Sequence, residues 1–555
     1  MPTRTTSRPL NRRTFILGGS AAVAGLAARR TPSAPITSPV FGQTPFTLGV
    51  ASGDPLPDGV VLWTRLAPYP FEVQGGMAPD AVEVRWQVAT DDRMTRIARQ
   101  GTAVAEADWA HSVHVEVQGL EPDRPYWYRL TAGSEESPVG RTKTAPAPGT
   151  MPDRFTFAFA SCQRWDHGLY TAYRDLARRD VDLVVHLGDY IYESGIHPGT
   201  QLRPGDYPGH ILTRCSTLAD YRNRYALYKL DPHLQEAHRL ARWLVTWDDH
   251  EVENNSYGEM PRDVPVDHLL LELRTAAYQA WYEHQPVRKA ARPVGPDLRL
   301  YRHRAFGDLV EFNVLDTRQY RSPQGTSCNA GQRSDGDGFC PASLDPDRTL
   351  LGDRQKSWLA DRLDRASARW NVLAQQVPFA RIDHEADPVR RSFGGKQMDA
   401  WDGYAFEREQ VSAAVASAAR ARTFAPIVIT GDVHANHVWD LKTDWDDETG
   451  ASVYGTEFVG TSISSAGDEA RADGGGYTTE CGNRNGNSHN HLYDNHRGYV
   501  LCHLTADRWE PVYRVMPNVV DEHAEASTLA SFVVEHGNPG AQVVTGCEVP
   551  APDGG

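Results

Sequence analysis

The chain has 555 residues, of which 40% are apolar, and a formal net charge of −15 at neutral pH. This length is sufficient for two domains that each bury a core of their own. The acidic balance and the lack of a basic stripe with interleaved aromatic residues argue against a nucleic-acid-binding surface.

The amino terminus predicts an export signal. Arg12 and Arg13 precede a weakly apolar, small-residue stretch from Gly18 to Ala28, which is too short to span a bilayer. We therefore predict a twin-arginine signal peptide over residues 1–28 and export of the folded protein through the twin-arginine translocase. The mature protein would be secreted to the extracellular space without a transmembrane anchor. The alternative is a chance arginine pair before an apolar segment.

Residues 29–43 are rich in Pro, Thr and Ser and predict a linker. Residues 44–145 predict a β-sandwich, because four of their segments alternate between apolar and polar side chains. These segments are 59–66, 82–88, 111–117 and 126–130. Gly119 to Pro122, followed by Tyr126 and Tyr128, resembles the tyrosine corner of fibronectin type III domains. Catalytic residue types do not cluster in this region, so its predicted role is structural.

A proline-containing boundary at 137–154 separates the sandwich from a second domain, predicted over 151–520. In this second domain apolar strands alternate with amphipathic helices, which predicts a layered α/β fold. The predicted helices are Thr171–Arg178, Asp267–Glu283 and Asp353–Ala368, and a late hairpin is predicted over 498–515. Residues 521–555 are assigned to a C-terminal extension.

Four apolar strands of the second domain each end at residue types that bind metals. They are 155–160 before Cys162, 181–187 before Asp189 and Tyr192, 244–247 before Asp248 to His250, and 425–430 before Asp432 and His434. Open α/β sheets bind ligands at the carboxyl ends of their strands. One such strand says little, but four in order predict a metal centre.

Sulfur and phenol donors indicate the kind of metal. A thiolate from Cys162 favours a transition metal. A phenolate from Tyr192 needs a strong Lewis acid such as ferric iron, because the ordinary pKa of tyrosine is about 10. Taken singly, Cys162 also reads as a small buried apolar residue and Tyr192 as a core tyrosine.

Oxygen donors indicate a second, harder cation. The two oxygens of Asp189 can bridge two ions, and Asp249 and then Asn254 are the preferred further ligands. His250, with Asp249 one of the two predicted catalytic residues, could protonate a leaving oxygen or hold a phosphoryl oxygen. A solvated acidic turn that caps a helix is the alternative for this segment.

The fourth strand end closes the set. Asp432 and His434 are two residues apart, so in extended geometry they would point to one side, one toward each ion. His437 is a candidate for phosphate contact. If Cys162 is a ligand, six of the seven cysteines remain, enough for three disulfides, with Cys328–Cys340 as the preferred pair.

At these residues the chain resembles the PhoD-type alkaline phosphatase/phosphodiesterase family of the metallophosphoesterase superfamily. The resemblance covers about residues 44–520 and depends on eight short motifs. They are Gly49–Pro55, Phe159–Gln163, Gly188–Glu193, Trp247–Glu251, Leu315–Arg321, Gly352–Gln355, Trp401–Tyr404 and Gly431–His434.

The resemblance implies a fibronectin III-like sandwich ahead of a four-layer αββα metallophosphoesterase domain, with a ferric iron and calcium. Iron would be held by Cys162, Asp189, Tyr192 and His434. Calcium would be held by Asp189 as the bridge, Asp432, and an oxygen of Asp249 or Asn254. Some relatives place a phosphate-binding arginine behind the Gly-Asp-x-x-Tyr motif, where this chain has 194–197. Substrate contact by His197, Arg318 or Arg321 therefore stays open.

The predicted function is a secreted, metal-dependent phosphoric mono- or diester hydrolase, in which a metal-activated water or hydroxide attacks phosphorus. Its substrate would be a small phosphate ester or a wall polymer. The alternative is a phospholipase D with the same fold and metal site, as some secreted relatives are, acting on phospholipid head groups. A more distant alternative is a secreted binding protein without catalysis.

Overall fold

The computed structural model describes residues 36–547 except 198–200, 204, 206, 257–267, 326–337, 385–392, 394–397, 448, 469 and 483. The predicted signal peptide, 1–28, and Cys328 lie outside the described residues. None of the described helices combines the length and apolar character needed to cross a membrane.

The first part of the chain folds into nine strands. They are β1 (Ile36–Thr37), β2 (Val50–Leu56), β3 (Gly59–Arg65), β4 (Ala81–Ala89), β5 (Ile97–Ala105), β6 (Ser112–Gln118), β7 (Pro125–Ala132), β8 (Glu135–Glu136) and β9 (Gly140–Lys143). Six of them, β1, β4, β5, β7, β8 and β9, form one sheet. The other three, β2, β3 and β6, belong to a larger sheet that continues with later strands. The first part of the chain therefore contributes to two sheets.

After residue 150, strands and helices alternate as predicted. The elements are β10 (Phe155–Ala160), α1 (Thr171–Ala177), β11 (Leu183–His186), α2 (Gly209–Leu212), α3 (Leu218–Lys229), α4 (Pro232–Leu240), β12 (Arg242–Val245), α5 (His268–His284), β13 (Arg302–Phe306), β14 (Val310–Val314), α6 (Gly352–Leu363), β15 (Trp370–Ala374), α7 (Ala405–Arg422), β16 (Ala425–Thr430), β17 (Asn436–Lys442) and β18 (Val453–Val459). The predicted α/β class is confirmed.

Six further strands complete the described chain. They are β19 (Thr479–Glu480), β20 (Asn490–Asp494), β21 (Gly498–Leu504), β22 (Arg508–Val515), β23 (Ser527–Glu535) and β24 (Asn538–Thr545). The predicted late hairpin is β21–β22, and β23 and β24, from the predicted C-terminal extension, continue the same sheet.

Two large sheets carry the rest of the architecture. One has ten strands in the order β24-β23-β22-β21-β10-β11-β12-β2-β3-β6, and the other has eight in the order β13-β14-β15-β16-β18-β17-β20-β19. Phe157 and Val185 of the first sheet share a buried core with Phe312 and Ile427 of the second. The two sheets therefore pack against each other through apolar side chains, which is the main source of their stability.

Helices cover the other side of each sheet. Leu176 of α1 and Trp281 of α5 belong to a core with Trp243 of β12. On the second sheet, Val415 of α7 packs in a core with Val428 of β16. Each of these strands buries side chains on both faces, which explains why their sequences are continuous apolar runs rather than alternating ones.

The N-terminal ends of α3 and α4 are fixed by the local sequence. Thr217 precedes α3 and accepts a hydrogen bond from the backbone N–H of Asp220 at 3.2 Å, while the carboxylate of Asp220 accepts from the N–H of Thr217 at 2.9 Å. This reciprocal pair is a capping box. Asp231 caps α4 through the N–H groups of His233 and Leu234, both at 2.9 Å.

The expectation of three disulfides is wrong for two cysteines. Cys215 and Cys502 are free and buried, because Cys215 lies in the core under the helices and Cys502 in the core between the sheets. Cys481 and Cys547, which are 66 residues apart in the sequence, form a disulfide. Cys340 is also disulfide-bonded, and its predicted partner Cys328 lies outside the described residues.

Candidate metal centre

The four strand ends predicted to carry ligands lie close together. β10, β11 and β12 are parallel neighbours, so their carboxyl ends meet at one edge of the ten-stranded sheet. A Cβ atom on Gly188 would lie 2.5 Å from Asp248, and one on Gly431 would lie 2.5 Å from the Oγ of Ser161. Glycine at these two positions therefore lets the loops after β11 and β16 pack closely against the loops after β12 and β10.

Within the described residues, three groups of donor atoms lie within 4.8 Å of one another. They are Cys162 with Asp189 and His434, Asp189 with Asp249 and His250, and Asp248 with Asp249 and Asp432. Asp189 and Asp249 each belong to two groups, and Asp189 is shared with the group that contains sulfur, which is the arrangement expected of a carboxylate that bridges two unlike ions. The first group offers sulfur and nitrogen donors, whereas the third offers only oxygens.

Four of these residues have a left-handed backbone. The φ angles are 58° at Cys162, 54° at Asp189, 67° at Asp432 and 53° at His434. Such angles are costly for residues with a Cβ and cluster at functional sites. The prediction of extended geometry for Asp432 and His434 is therefore wrong. The chain turns tightly between β16 and β17, and the turn directs the two side chains into different donor groups.

Tyr192 and His434 form a hydrogen-bonded pair beside Cys162. The Tyr192 hydroxyl lies 3.0 Å from Nε2 of His434 and accepts a hydrogen bond of 2.8 Å from the hydroxyl of Ser465. Nδ1 of His434 lies 2.6 Å from the carbonyl oxygen of Ala466, so it carries the proton and leaves the lone pair on Nε2. A second hydrogen bond of this kind orients a histidine for metal ligation.

The electrostatics of the carboxylates indicate that cations belong here. Burial, and then the charges of Asp249 and Asp248, raise the pKa of Asp189 well above its ordinary value. Burial and Asp248 likewise raise the pKa of Asp432. Neighbouring buried carboxylates cannot all ionise without compensating positive charge. Burial and Asp189 also raise the pKa of the Cys162 thiol, so its thiolate needs a metal.

The donor set fits two unlike cations. Sulfur, imidazole and phenol around Cys162 suit a transition metal. The carboxylates Asp248, Asp249 and Asp432 suit a hard cation. Asp249 is oriented for this role, since its Oδ2 accepts a 2.5 Å hydrogen bond from the backbone N–H of Asn255.

His250 lies beside this centre as a charged group. Its Nδ1 is 2.7 Å from Oε2 of Glu193, and its ring centroid is 4.2 Å from that of Tyr192. Burial opposes protonation of His250, but the carboxylates of Asp249 and Glu193 raise its pKa to about 8. These two carboxylates therefore favour the imidazolium form of His250.

Two arginines whose contact with substrate the sequence leaves open donate hydrogen bonds to carboxylates in this region. Arg318 is buried and donates to Asp248, to Asp399 at 2.6 Å and to Asp432 at 3.1 Å. Arg321 is fully buried and donates to the same Asp399 at 2.6 Å. Both guanidinium groups are engaged by carboxylates of the site.

The other predicted site residues lie outside the three donor groups. Asn254 is exposed, and its backbone N–H donates to Glu193 at 3.2 Å. His197 is exposed at the end of a described segment. The His437 ring lies between Trp439 and Tyr493, with centroid distances of 5.4 and 5.2 Å, and burial lowers its pKa to about 3.

Sequence reasoning missed several residues of the site. Glu193 and Glu251 stand within the quoted motifs and could have been found there as buried carboxylates. Ser465 and Asp399 carry no such signal, because each reaches the site from a distant part of the chain. Arg164, two residues after Cys162, lies with its guanidinium 5.5 Å from the centroid of the Tyr192 ring.

Comparisons with known proteins agree with this geometry. The profile of the family described as PhoD-like phosphatase matches residues 157–513, and that of its N-terminal domain matches residues 31–146. The chain is 46% identical over 545 residues to alkaline phosphatase D of Bacillus subtilis, covering 96% of this chain and 89% of the relative. A solved structure titled "Structure of PhoD" is 43% identical, with a TM-score of 0.80 over 92% of this chain and 94% of that one. The chain therefore belongs to the PhoD-like phosphatase family.

Proposed function

We propose that this chain is a phosphoric ester hydrolase of the alkaline phosphatase D type, acting at the edge where β10, β11, β12 and β16 end. The observation that carries the proposal is the convergence of Cys162, Asp189 and His434 with the carboxylates Asp249 and Asp432. The relative named alkaline phosphatase D, similar over nearly the whole chain, supports the same reaction class.

The proposed cofactors are one ferric iron and calcium. Cys162, Asp189, Tyr192 and His434 would hold the iron. Asp189, Asp432 and Asp249 would hold calcium, with Asn254 as the further predicted oxygen ligand. When bound, the ions supply Lewis acidity, which withdraws charge from phosphoryl oxygens and makes an attacking solvent water more acidic.

The chain's own residues would orient the groups of the site and protonate the leaving group. His250, held by Glu193 at 2.7 Å and favoured in its imidazolium form by that carboxylate, would donate a proton to the leaving alkoxide. Asp249 would orient this histidine electrostatically while serving as a ligand. The buried contacts of Arg318 and Arg321 favour a role in orienting Asp432 and Asp399 over direct substrate contact. His197 and His437 remain predicted substrate contacts.

The finer architecture and location are also proposals. A fibronectin III-like sandwich over 44–145 is supported by the 2.9 Å hydrogen bond from the N–H of Glu121 to the hydroxyl of Tyr126, as in a tyrosine corner. A four-layer αββα domain over 151–520 is supported by the separate cores on the outer faces of the two large sheets. Secretion is supported by the disulfide Cys481–Cys547, and export through the twin-arginine pathway is proposed from Arg12 and Arg13 in the sequence.

A substrate panel with metal analysis tests the function. The panel consists of p-nitrophenyl phosphate, bis-p-nitrophenyl phosphate and phosphatidylcholine vesicles, and elemental analysis gives iron and calcium per chain. We expect hydrolysis of the soluble esters and a visible charge-transfer band that is lost in Tyr192→Phe and Cys162→Ser.

Each other outcome selects a different conclusion. Release of choline from vesicles at rates above those on the soluble esters would favour the phospholipase D alternative. A colourless enzyme that is fully active with calcium or magnesium alone would refute the iron assignment. A metal-loaded chain that hydrolyses none of the three substrates would favour the binding-protein alternative.

A further inference from the structure

Glu251 connects two of the loops that carry candidate ligands. It belongs to the loop after β12, and its side chain reaches the loop after β11. Oε2 accepts the backbone N–H groups of Asp189 at 3.0 Å and of Asp248 at 2.8 Å, while Oε1 accepts the N–H of Tyr190 at 2.7 Å. One carboxylate thus satisfies three peptide N–H groups from two separate chain segments.

These bonds act at a place where the backbone is strained. Asp189 has a φ of 54°, and conformations of this kind persist only where surrounding contacts determine them. Two consecutive N–H groups, those of Asp189 and Tyr190, are held by the same carboxylate. The peptide plane between them is therefore fixed, and with it the direction in which the Asp189 side chain leaves the backbone.

The chemistry of the three bonds requires a carboxylate. Three N–H donors converge on Glu251, and a carboxylate offers only acceptors. Glutamine would turn an NH2 group toward at least one of these donors and leave it unsatisfied in a buried place, since Glu251 is 1% exposed. Aspartate keeps the carboxyl group but is one methylene shorter, so it cannot reach both loops as Glu251 does.

We infer that Glu251 is a positioning residue, which holds Asp189 and Asp248 in the orientation that cation binding needs. It contacts peptide groups of the ligand loops rather than substrate. Residues in this position around a metal centre typically change cation affinity by roughly 10- to 100-fold when they are replaced. The inference rests on the proposed cation centre for its prediction of metal release, and on the proposed hydrolysis only for its prediction of the rate.

Glu457 provides a matched control. It is fully buried, and its carboxylate also accepts three hydrogen bonds, from the N–H groups of Phe379 and Ala380, both at 2.8 Å, and from the hydroxyl of Thr430 at 2.6 Å. The two peptide groups that it holds carry none of the proposed ligands. Glu251→Gln and Glu457→Gln therefore remove similar bonds, but only the first removes them from the ligand loops.

The experiment loads the full-length protein with its metals and follows their release to a chelator, together with thermal unfolding and kcat. We expect both variants to unfold at lower temperature than the wild type. Only Glu251→Gln should release metal faster, by roughly 10-fold or more, with a fall in kcat and little change in KM. The inference would be overturned if Glu251→Gln released metal at the wild-type rate while it was destabilised as much as Glu457→Gln.

A second variant covers the case in which Glu251→Gln does not fold. Glu251→Asp should show the same accelerated release, and release at the wild-type rate would contradict the positioning role. If the wild type holds metal but hydrolyses no ester, the proposed function fails while the comparison of release rates still decides the role of Glu251. A wild type that holds no cation refutes the metal centre and this inference together.

Discussion

Asp54 and Asp189 are both almost completely buried, and their electrostatics are opposite. Asp54, in β2, lies 2.8 Å from Arg302 and 3.3 Å from Arg304, both of β13. Burial alone would raise the pKa of Asp54, but these arginines lower it to about 2. At Asp189 burial and the neighbouring carboxylates act in the same direction, and the pKa is raised well above its ordinary value.

The opposite pKa shifts distinguish an ion pair within the protein from a cation-binding site. Both aspartates are buried in left-handed backbone, with φ angles of 44° and 54°, so neither burial nor strain distinguishes them. The charges of the neighbouring side chains distinguish the two aspartates. Asp54 is compensated by the protein and joins β2 to β13. In the cluster around Asp189, Arg318 compensates only part of the carboxylate charge, and bound cations would compensate the rest.

The largest expected effect follows from replacing the shared carboxylate. Asp189→Asn removes one of the two residues that belong to two donor groups, and loss of several kcal/mol of transition-state stabilisation corresponds to a fall in kcat/KM of about 1,000-fold or more. Steady-state kinetics on p-nitrophenyl phosphate and metal content check it. Retention of wild-type kcat/KM and metal content would remove Asp189 from the centre.

Metal removal should produce the next effect. At a free cation concentration of about 1,000 times Kd, bound metal stabilises the folded state by about 4 kcal/mol, so a chelator should lower the free energy of unfolding of the wild type by that amount. Asp189→Asn should lose less, because it binds cations more weakly and has one charge fewer in the cluster. Denaturant unfolding with and without chelator measures both. Equal losses in the two proteins would contradict a cation site at this cluster.

Asp54→Asn should lower the stability of the protein without changing its metal content or activity, the reverse of what is expected at Asp189. Removing one partner of a buried ion pair leaves Arg302 uncompensated, and the expected loss in the free energy of unfolding is about 3 kcal/mol. The metal content and kcat of the folded protein should stay unchanged. Asp92→Asn, at an exposed turn of the same part of the chain, is the control, with an expected change within about 0.5 kcal/mol.

The smallest effect is the pH dependence of that ion pair. The pKa of Asp54 is about 2 in the folded protein and 3.8 at its ordinary value, so its contribution is complete above about pH 5 and is lost as the pH falls toward 2. About 1 kcal/mol should be lost by pH 3. The difference in unfolding free energy between wild type and Asp54→Asn should therefore narrow between pH 5 and pH 3. If the difference in unfolding free energy stays constant over this pH range, Arg302 and Arg304 do not stabilise the ionised form of Asp54.

Several features could be predicted because they depend on local patterns. The apolar runs before Cys162, Asp189 and Asp432 became β10, β11 and β16, since strands buried on both faces need continuous apolar side chains. The third strand was placed two residues too late, because β12 ends at Val245. Trp247 is apolar for another reason: its ring stacks on Tyr278 of α5 with a centroid distance of 4.2 Å.

The amino-acid sequence by itself determined the α/β alternation, the strand ends that carry donors and the donor types that indicate two unlike cations. Only the tertiary structure decided which charges neighbour each other. Arg318 donates to three carboxylates from separate segments, Glu251 spans two loops, and β2 with β3 and β6 joins the ten-stranded sheet. Periodicity and residue type act within a few residues, whereas a charge or a hydrogen bond acts between segments that only the folded chain brings together.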